Sequence, residues 1–440
     1  MLVYEEEIEI PAVAGHRGLI AYLEEAVRKR LDKGLLPVRF VITESDARHY
    51  RCELGVIEGL LEQDIEHTCS IFDYAPRGPE NTTAFNAVML VPTGIGCSLG
   101  GHAGDANAVA KLLATACDTL ITHPNVVNAS DLNELPDNAL YVEGSIITRL
   151  LMGVAGLQPV RANRVLVVMD HHPDHWFSDA AINTVSAARA TFGLNCPAVV
   201  ELEPPVELRS LYASSGRAVG RVERMEGLVH VLEEYRGQYD ALAITTQIHM
   251  PRHYHTDYYV ERGGMVNPWG GVEAIFTHAI SSLYDIPAAH APMEESREIA
   301  NEDLGVVDPR MAAEVISTAY FGCVLKGLQR SPRIIKDIRT GSAPGVLTAA
   351  DVSCLVIPDK AVGLPTLAAL EQGIPVIAVR ENQNIMRNDL CELPWAEGQL
   401  HLVDNYLEAA GVMAALRGGI DPATLRRPLA DTVSKLKRWE

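Results

Sequence analysis

AFNAVMLVPTGIGCSLGGHAGDANAVA, residues Ala84–Ala110, is the stretch whose reading decides the fold. An apolar run stops, five glycines follow (Gly94, Gly96, Gly100, Gly101 and Gly104), and apolar positions at helical spacing begin. Strand, glycine loop and helix in that order open an α/β unit. The order recurs downstream: RVLVVMD precedes FSDAAINTVSAARATFG, DALAITT precedes GVEAIFTHAISSLY, and SCLVIP precedes PTLAALEQG and then PVIAV. These strands are short, continuously apolar and rich in β-branched residues, which fits burial on both faces of a parallel sheet.

The expected class is α/β, with doubly wound, mostly parallel sheets of Rossmann-like units and a small N-terminal α+β unit. The expected boundaries are 1–80 for the small unit, 84–300 for the α/β part with the glycine and histidine loops, and 301–440 for a helix-rich α/β C-terminal region. The last sixty or so residues read as mostly helical. In such sheets ligands bind outside the carboxyl ends of the strands, often where the connections reverse direction.

The chain has 440 residues, 48% of them apolar, and a formal net charge of −20. Its mean hydropathy is +0.05 and its pI about 5.2. No Lys/Arg run offers the basic surface that a nucleic acid or an anionic membrane requires. No apolar run approaches the roughly 20 residues that span a bilayer. The start, MLVYEEEIEI, lacks the pattern of a signal peptide. The eight cysteines are scattered without a CxxC pair, as in a reducing compartment. A cytoplasmic homo-oligomer is expected.

Glycine admits positive φ and close approach to the backbone, and a glycine loop opening a helix aims free N–H groups at one point. A carboxylate or phosphate is the natural guest, which makes Gly94, Gly96, Ser98, Gly100 and Gly101 candidate substrate contacts. The phosphate-loop spacing is met by Gly96 and Gly101, but His102 and Ala103 stand where Lys and Ser/Thr belong. The dinucleotide spacing is met by Gly94 and Gly96, but Leu99 takes the third glycine position and the next strand, TLITHP, ends without an acid. An NAD(P) cofactor is therefore disfavoured. Cys97 is a candidate nucleophile and His102 a candidate base.

Two segments concentrate imidazoles at strand ends. VMDHHPDHWFSD carries Asp170, His171 and His172, and TTQIHMPRHYHTDYYVERGG carries His249, His253 and His255. These six are candidate acid/base residues. His171, His249, His253 and His255 are also candidate ligands of a divalent metal cofactor. Asn267 is placed to open the following helix and face the same crevice. THPNVVNASDLNE supplies His123, Asn125 and Asn128 as a hydrogen-bonding wall. Glu143 and Arg149, shortly after it, are further candidates.

GLPTLAALEQGIPVI, Gly363–Ile377, resembles the donor-binding motif of glycosyltransferases with two facing Rossmann-like domains. Gly363, Leu364, Pro365, Gly373 and Pro375 match, while Ala368 and Lys360 stand where that motif carries acids. The resemblance implies a helix N-terminus compatible with an anion. VPTGIGCSLGGHAGDA together with THPNVVNASDLNE is similar to a bacterial and plastid family classed as a domain of unknown function. It implies a metabolic, enzyme-like protein with these loops at its centre.

The function expected from the sequence is an enzyme that acts on a small anionic metabolite by acid/base, metal-assisted or metal-free, chemistry: an isomerase, lyase or hydrolase. A nucleotide-dependent enzyme and a metabolite-binding regulator are the alternatives. The expectation rests on the two histidine loops meeting above the glycine loop.

Overall fold

The computed structural model describes all residues except 14–17, 33, 62–64, 66, 261–263, 318, 337, 339–343, 430 and 440. Two sheets organise the chain. One has six strands, in the order Leu400–Val403, Val376–Val379, Val352–Pro358, Asn86–Met89, Thr119–Thr122 and Ala139–Tyr141. Every neighbouring pair in it is parallel. Its central strand, VSCLVIP, is buried at all seven positions, as strands covered on both faces must be. From Asn86–Met89 the chain steps one way across the sheet through the helix Asn107–Ala114. From Val352–Pro358 it steps the other way through the helix Leu364–Gln372. The connections therefore part between these two adjacent strands.

The second sheet has ten strands and is mixed. Val199–Leu202, Val165–Asp170, Ala241–His249 and Ala288–Met293 pair in parallel. Glu207–Tyr212, Ala218–Glu223, Leu2–Pro11, His49–Glu58 and Leu36–Ser45 continue it as an antiparallel run. Leu2–Pro11 buries Val3 and Ile10 in different core clusters, on opposite faces of the strand, and leaves Glu7 and Glu9 exposed. The fold is thus mixed α/β with one wholly parallel sheet.

The expected boundaries do not coincide with the edges of the sheets. The first eighty residues form no sheet of their own, because their strands pair with Ala218–Glu223 and with Val362–Gly363. Residues after 301 supply three of the six parallel strands, and the segment 86–141 supplies the rest. The C-terminal stretch is less helical than expected. After the helix Tyr406–Arg417 only a short 3-10 turn, Pro422–Leu425, is formed among the described residues. No described helix is long and apolar enough to cross a membrane.

Candidate functional site

A cavity of about 270 Å³ opens where the connections of the parallel sheet part. Leu90, His123, Glu143 and Ala361 reach it from just beyond the carboxyl ends of four parallel strands. Glu294 reaches it from the end of Ala288–Met293 in the other sheet. The helix Trp269–Tyr284 forms a wall and contributes Glu273, Thr277 and His278. The strand-end rule thus locates the site, at the point of divergence.

Two carboxylate–imidazole pairs face this space. His278 Nδ1 lies 2.5 Å from Oε1 of Glu143. Glu143 caps the helix Gly144–Leu151, accepting from the Ser145 N–H at 2.8 Å and from the Ser145 hydroxyl. Thr277 Oγ1 donates to it at 3.4 Å. Burial works against the Glu143 charge, but the His278 imidazole and these donors together hold its carboxyl below the ordinary value. With Nδ1 turned to Glu143, His278 keeps Nε2 for the cavity, and no side chain or backbone group bonds it among the described residues. Gly144 makes room for the ring: a Cβ there would stand 3.2 Å from His278 Cε1.

In the second pair, His290 Nδ1 lies 2.9 Å from Oε1 of Glu273, and its Nε2 lies 2.8 Å from the Thr246 hydroxyl. Hydroxyl, imidazole and carboxylate in line repeat the connectivity of a catalytic triad. The direction differs. Thr246 is fully buried and does not line the cavity, whereas the Glu273 side chain is 25% exposed and does. The relay therefore fixes a carboxylate at the cavity surface. His123 completes this set. Its Nε2 accepts from the Val91 N–H at 3.1 Å, and burial, outweighing the neighbouring Glu143, pushes its pKa down to about 4. It is a neutral imidazole with the proton on Nδ1.

The cations at and behind the cavity wall, Arg39 and Arg149 among the lining residues, have acidic neighbours within the protein. Arg217, wholly buried, bonds Glu5 and Glu53. Arg39 donates to the Thr93 carbonyl at 3.0 Å and stands 3.6 Å from Glu5. Arg149 lines the cavity but pairs with Asp285 at 2.6 Å, so it is already engaged.

The glycine loop does not form the expected anion cradle. Its N–H groups meet the chain's own acceptors. Ser98 donates to the Gln383 carbonyl, Leu99 to Asn382 Oδ1, Gly100 to Asp105 Oδ1 and Ala103 to Glu314. The glycines serve close packing instead. A Cβ on Gly94 would lie 2.6 Å from the Ala218 carbonyl oxygen, on Gly96 2.9 Å from Val266, on Gly100 2.8 Å from Val91, and on Gly101 2.0 Å from the Cys97 carbonyl oxygen. Cys97 is buried and its thiol is pushed up by that burial, the opposite of an activated nucleophile. His102 is buried against the Tyr258 hydroxyl at 2.6 Å and, depressed by burial to about 4, does not line the cavity.

The candidate residues of the two histidine segments do not line the cavity either. Asp170 is buried and accepts from the backbone N–H groups of Val206 and Gln247, tying neighbouring strands together. His171 lies 3.4 Å from Glu201 on an accessible face, and His172 is buried and accepts from the Asp174 N–H. His249 pairs with Glu295 at 2.7 Å, and His253 is exposed on the helix Arg252–Val260. His255 is buried, 3.5 Å from Glu302 and 3.9 Å from Glu294. Among the described residues no three His, Cys, Asp or Glu side chains are grouped to hold a metal. The set His171, His249, His253 and His255 therefore does not converge.

Six expected residues do line the cavity: His123, Asn125, Asn128, Glu143, Arg149 and Asn267. Asn125 donates to the Gly100 carbonyl at 2.7 Å and Asn128 to the Tyr141 hydroxyl at 2.9 Å. Asn267 caps its helix through the Trp269 N–H at 2.9 Å. Glu273, His278, His290, Glu294 and Glu314 were missed. The strand-end rule applied to Ala288–Met293 finds Glu294, just past its carboxyl end, whereas His290 lies inside the strand. Glu273 and His278 are hidden in the apolar periodicity of their helix.

Residues 86–426 match the family model described as a protein of unknown function, DUF3326. The chain belongs to this family. A relative from a Synechococcus strain, named an uncharacterized lipoprotein, is 33% identical over 344 residues, covering 78% of this chain and 93% of that protein. No solved structure matches. The family match spans His123, Glu143, Glu273, His278 and His290, and it begins at the first parallel strand, after Arg39 and Glu53.

Proposed function

We propose that the protein is an enzyme performing proton-transfer chemistry on a small metabolite in this cavity, as an isomerase or a lyase. The observation that carries the reading is the pairing of two differently supported acid/base groups at one surface: His278 with Nε2 free, and Glu273 held by His290. One can remove a proton while the other returns it or assists a leaving group. Hydrolysis through a covalent intermediate is less favoured, because the hydroxyls of Thr246 and Tyr258, in contact with His290 and His102, do not line the cavity.

The same cavity offers a setting for the expected anion. Gly363, Leu364, Pro365 and Thr366, at the N-terminus of the helix Leu364–Gln372, line it. A helix N-terminus favours negative charge. A doubly wound, Rossmann-like reading of the parallel sheet supports the same placement, since ligands of such sheets lie at the point of divergence. The cavity size suits a metabolite rather than a dinucleotide. Eight free cysteines support a reducing, cytoplasmic setting.

The test is to incubate the protein with a library of small carboxylates and phosphates and to follow products by mass spectrometry. A product formed by the wild type and lost in both His278→Asn and Glu273→Gln supports the reading. A product formed equally by all three proteins rejects it.

A further inference from the structure

Beyond the two acid/base pairs, the cavity has an end rich in glutamate and aromatic rings that the chemistry above does not use. Glu294 and Glu314 line it with Tyr259, Trp269 and Tyr320. Both acids border the same aromatic group: His255, 3.9 Å from Glu294, has its ring 5.7 Å from that of Trp269, and Tyr258, on the same Trp269 ring, bonds Glu314. The Trp269 ring lies 6.1 Å from that of Tyr259 and 5.2 Å from that of Tyr258. Glu314 is fixed by the Ala103 N–H and by the Tyr258 hydroxyl at 3.1 Å. The Glu294 side chain is 11% exposed, and its one ionic neighbour, His255, stands 3.9 Å away. No Lys or Arg pairs with either acid among the described residues. His255 does not supply the missing charge, because burial lowers its pKa.

A second, independent polar group is left waiting in the same cavity. Ser130 is 4% exposed, lines the cavity, and its hydroxyl has no hydrogen-bond partner among the described residues. Buried hydroxyls and carboxyls without partners are costly and are seldom left so without a reason. Aromatic faces beside carboxylates are the surroundings in which an organic cation is held.

We propose that this end is an ammonium subsite: the metabolite carries a protonated amine that pairs with Glu294 and Glu314, rests against the rings of Tyr259, Trp269 and Tyr320, and donates to Ser130. This deepens the enzyme reading and rests on it for the word substrate, though not for the binding itself. Burial without a counter-ion pushes Glu294 up to about 7 and Glu314 up to about 8, so the unpaired charge of both acids is reduced. An arriving cation restores their ionisation. With the helix N-terminus at Gly363–Thr366 lining the same cavity, the cavity is suited to a molecule bearing an amine and an anionic group.

Three probes of matched shape test this: phenethylammonium, phenethyl alcohol and 3-phenylpropionate, each followed by thermal shift on the full chain. The ammonium probe is expected to raise the melting temperature more than the other two. Glu294→Gln is expected to weaken its apparent affinity by about tenfold or more. The Glu294 side chain makes no hydrogen bond among the described residues, so this variant should fold; Glu314→Gln, which loses structural contacts as well, is the secondary variant. His278→Asn should bind the ammonium probe as the wild type does, which separates failure of the subsite from failure of the catalytic reading. Equal shifts from the alcohol or the carboxylate, no shift from any probe, or undiminished ammonium binding by Glu294→Gln would overturn the proposal.

Discussion

Replacing Glu143 by Gln should cost both stability and turnover, by separable amounts. The carboxylate is 3% exposed and serves four donors: the Ser145 N–H, the Ser145 and Thr277 hydroxyls, and His278 Nδ1. An amide of the same shape keeps one acceptor oxygen and turns an NH₂ toward the others. Either the Ser145 side or the His278 side must lose its bond. A hydrogen bond to a charged group is worth about 1.5–3 kcal/mol, and relief from burying a charge offsets part of that, so the net loss is about 2 kcal/mol. That corresponds to a drop of a few degrees in melting temperature. The folded carboxyl lies below its ordinary value of 4.5, so its contribution is present above that pH and is lost as the pH falls through the lowered value. The gap between wild type and variant should therefore be full at pH 7 and shrink in acid. The imidazole loses the group that fixes its tautomer and orientation, and turnover should fall by about 10²–10⁴. Denaturant titration at several pH values and turnover of a substrate from the library screen measure both. An unchanged midpoint at pH 7, together with full turnover, would refute the reasoning.

Further outcomes follow from the packing of the loops. Gly101→Ala should prevent stable folding, since its Cβ would fall 2.0 Å from the Cys97 carbonyl oxygen, whereas Gly193→Ala, with open space but a φ of +69°, should cost about 1 kcal/mol; circular dichroism melts compare them. Cys69 and Cys391 are exposed and should alkylate readily with iodoacetamide, while buried Cys97 should react only on unfolding, as peptide mass spectrometry would show. Asp170→Asn loses an acceptor for the Val206 or the Gln247 N–H and should be destabilised by about 1–3 kcal/mol at low pH. Burial raises the Asp170 pKa to about 7, so the wild type loses stability as the pH climbs from about 4 to about 7, by up to about 4 kcal/mol. The deficit of the variant should narrow over that range in denaturant titrations, and a constant deficit would contradict it.

The parallel sheet was legible because its strands are buried on both faces and carry that in an unbroken apolar run, as VSCLVIP does. The N-terminal strands were legible as strands, but not their partners: Leu2–Pro11 pairs with Ala218–Glu223 across two hundred residues, and local periodicity holds no record of that. The glycine loop was found for the right physical property and given the wrong use. Glycines mark close approach to a backbone, yet what approaches is Ala218, Val91 and the loop itself. The histidine clusters misled in a similar way, since strand ends expose many polar groups to solvent and to one another as well as to ligands. His123 was found because it directly follows a parallel strand, and Asn267 because it opens a helix. His278 was not, because a histidine inside an apolar helix reads like any other half-buried position until the facing carboxylate is known.

Solvent deuterium incorporation tests the acid/base cavity most directly. Metabolites that stabilise the protein would be incubated with it in D₂O and examined by mass spectrometry and proton NMR. The account predicts exchange of a carbon-bound hydrogen, or deuterium in the product, with the wild type and its loss in His278→Asn and Glu273→Gln. Tight binding of such a metabolite with no deuterium entering it or any product would contradict the account.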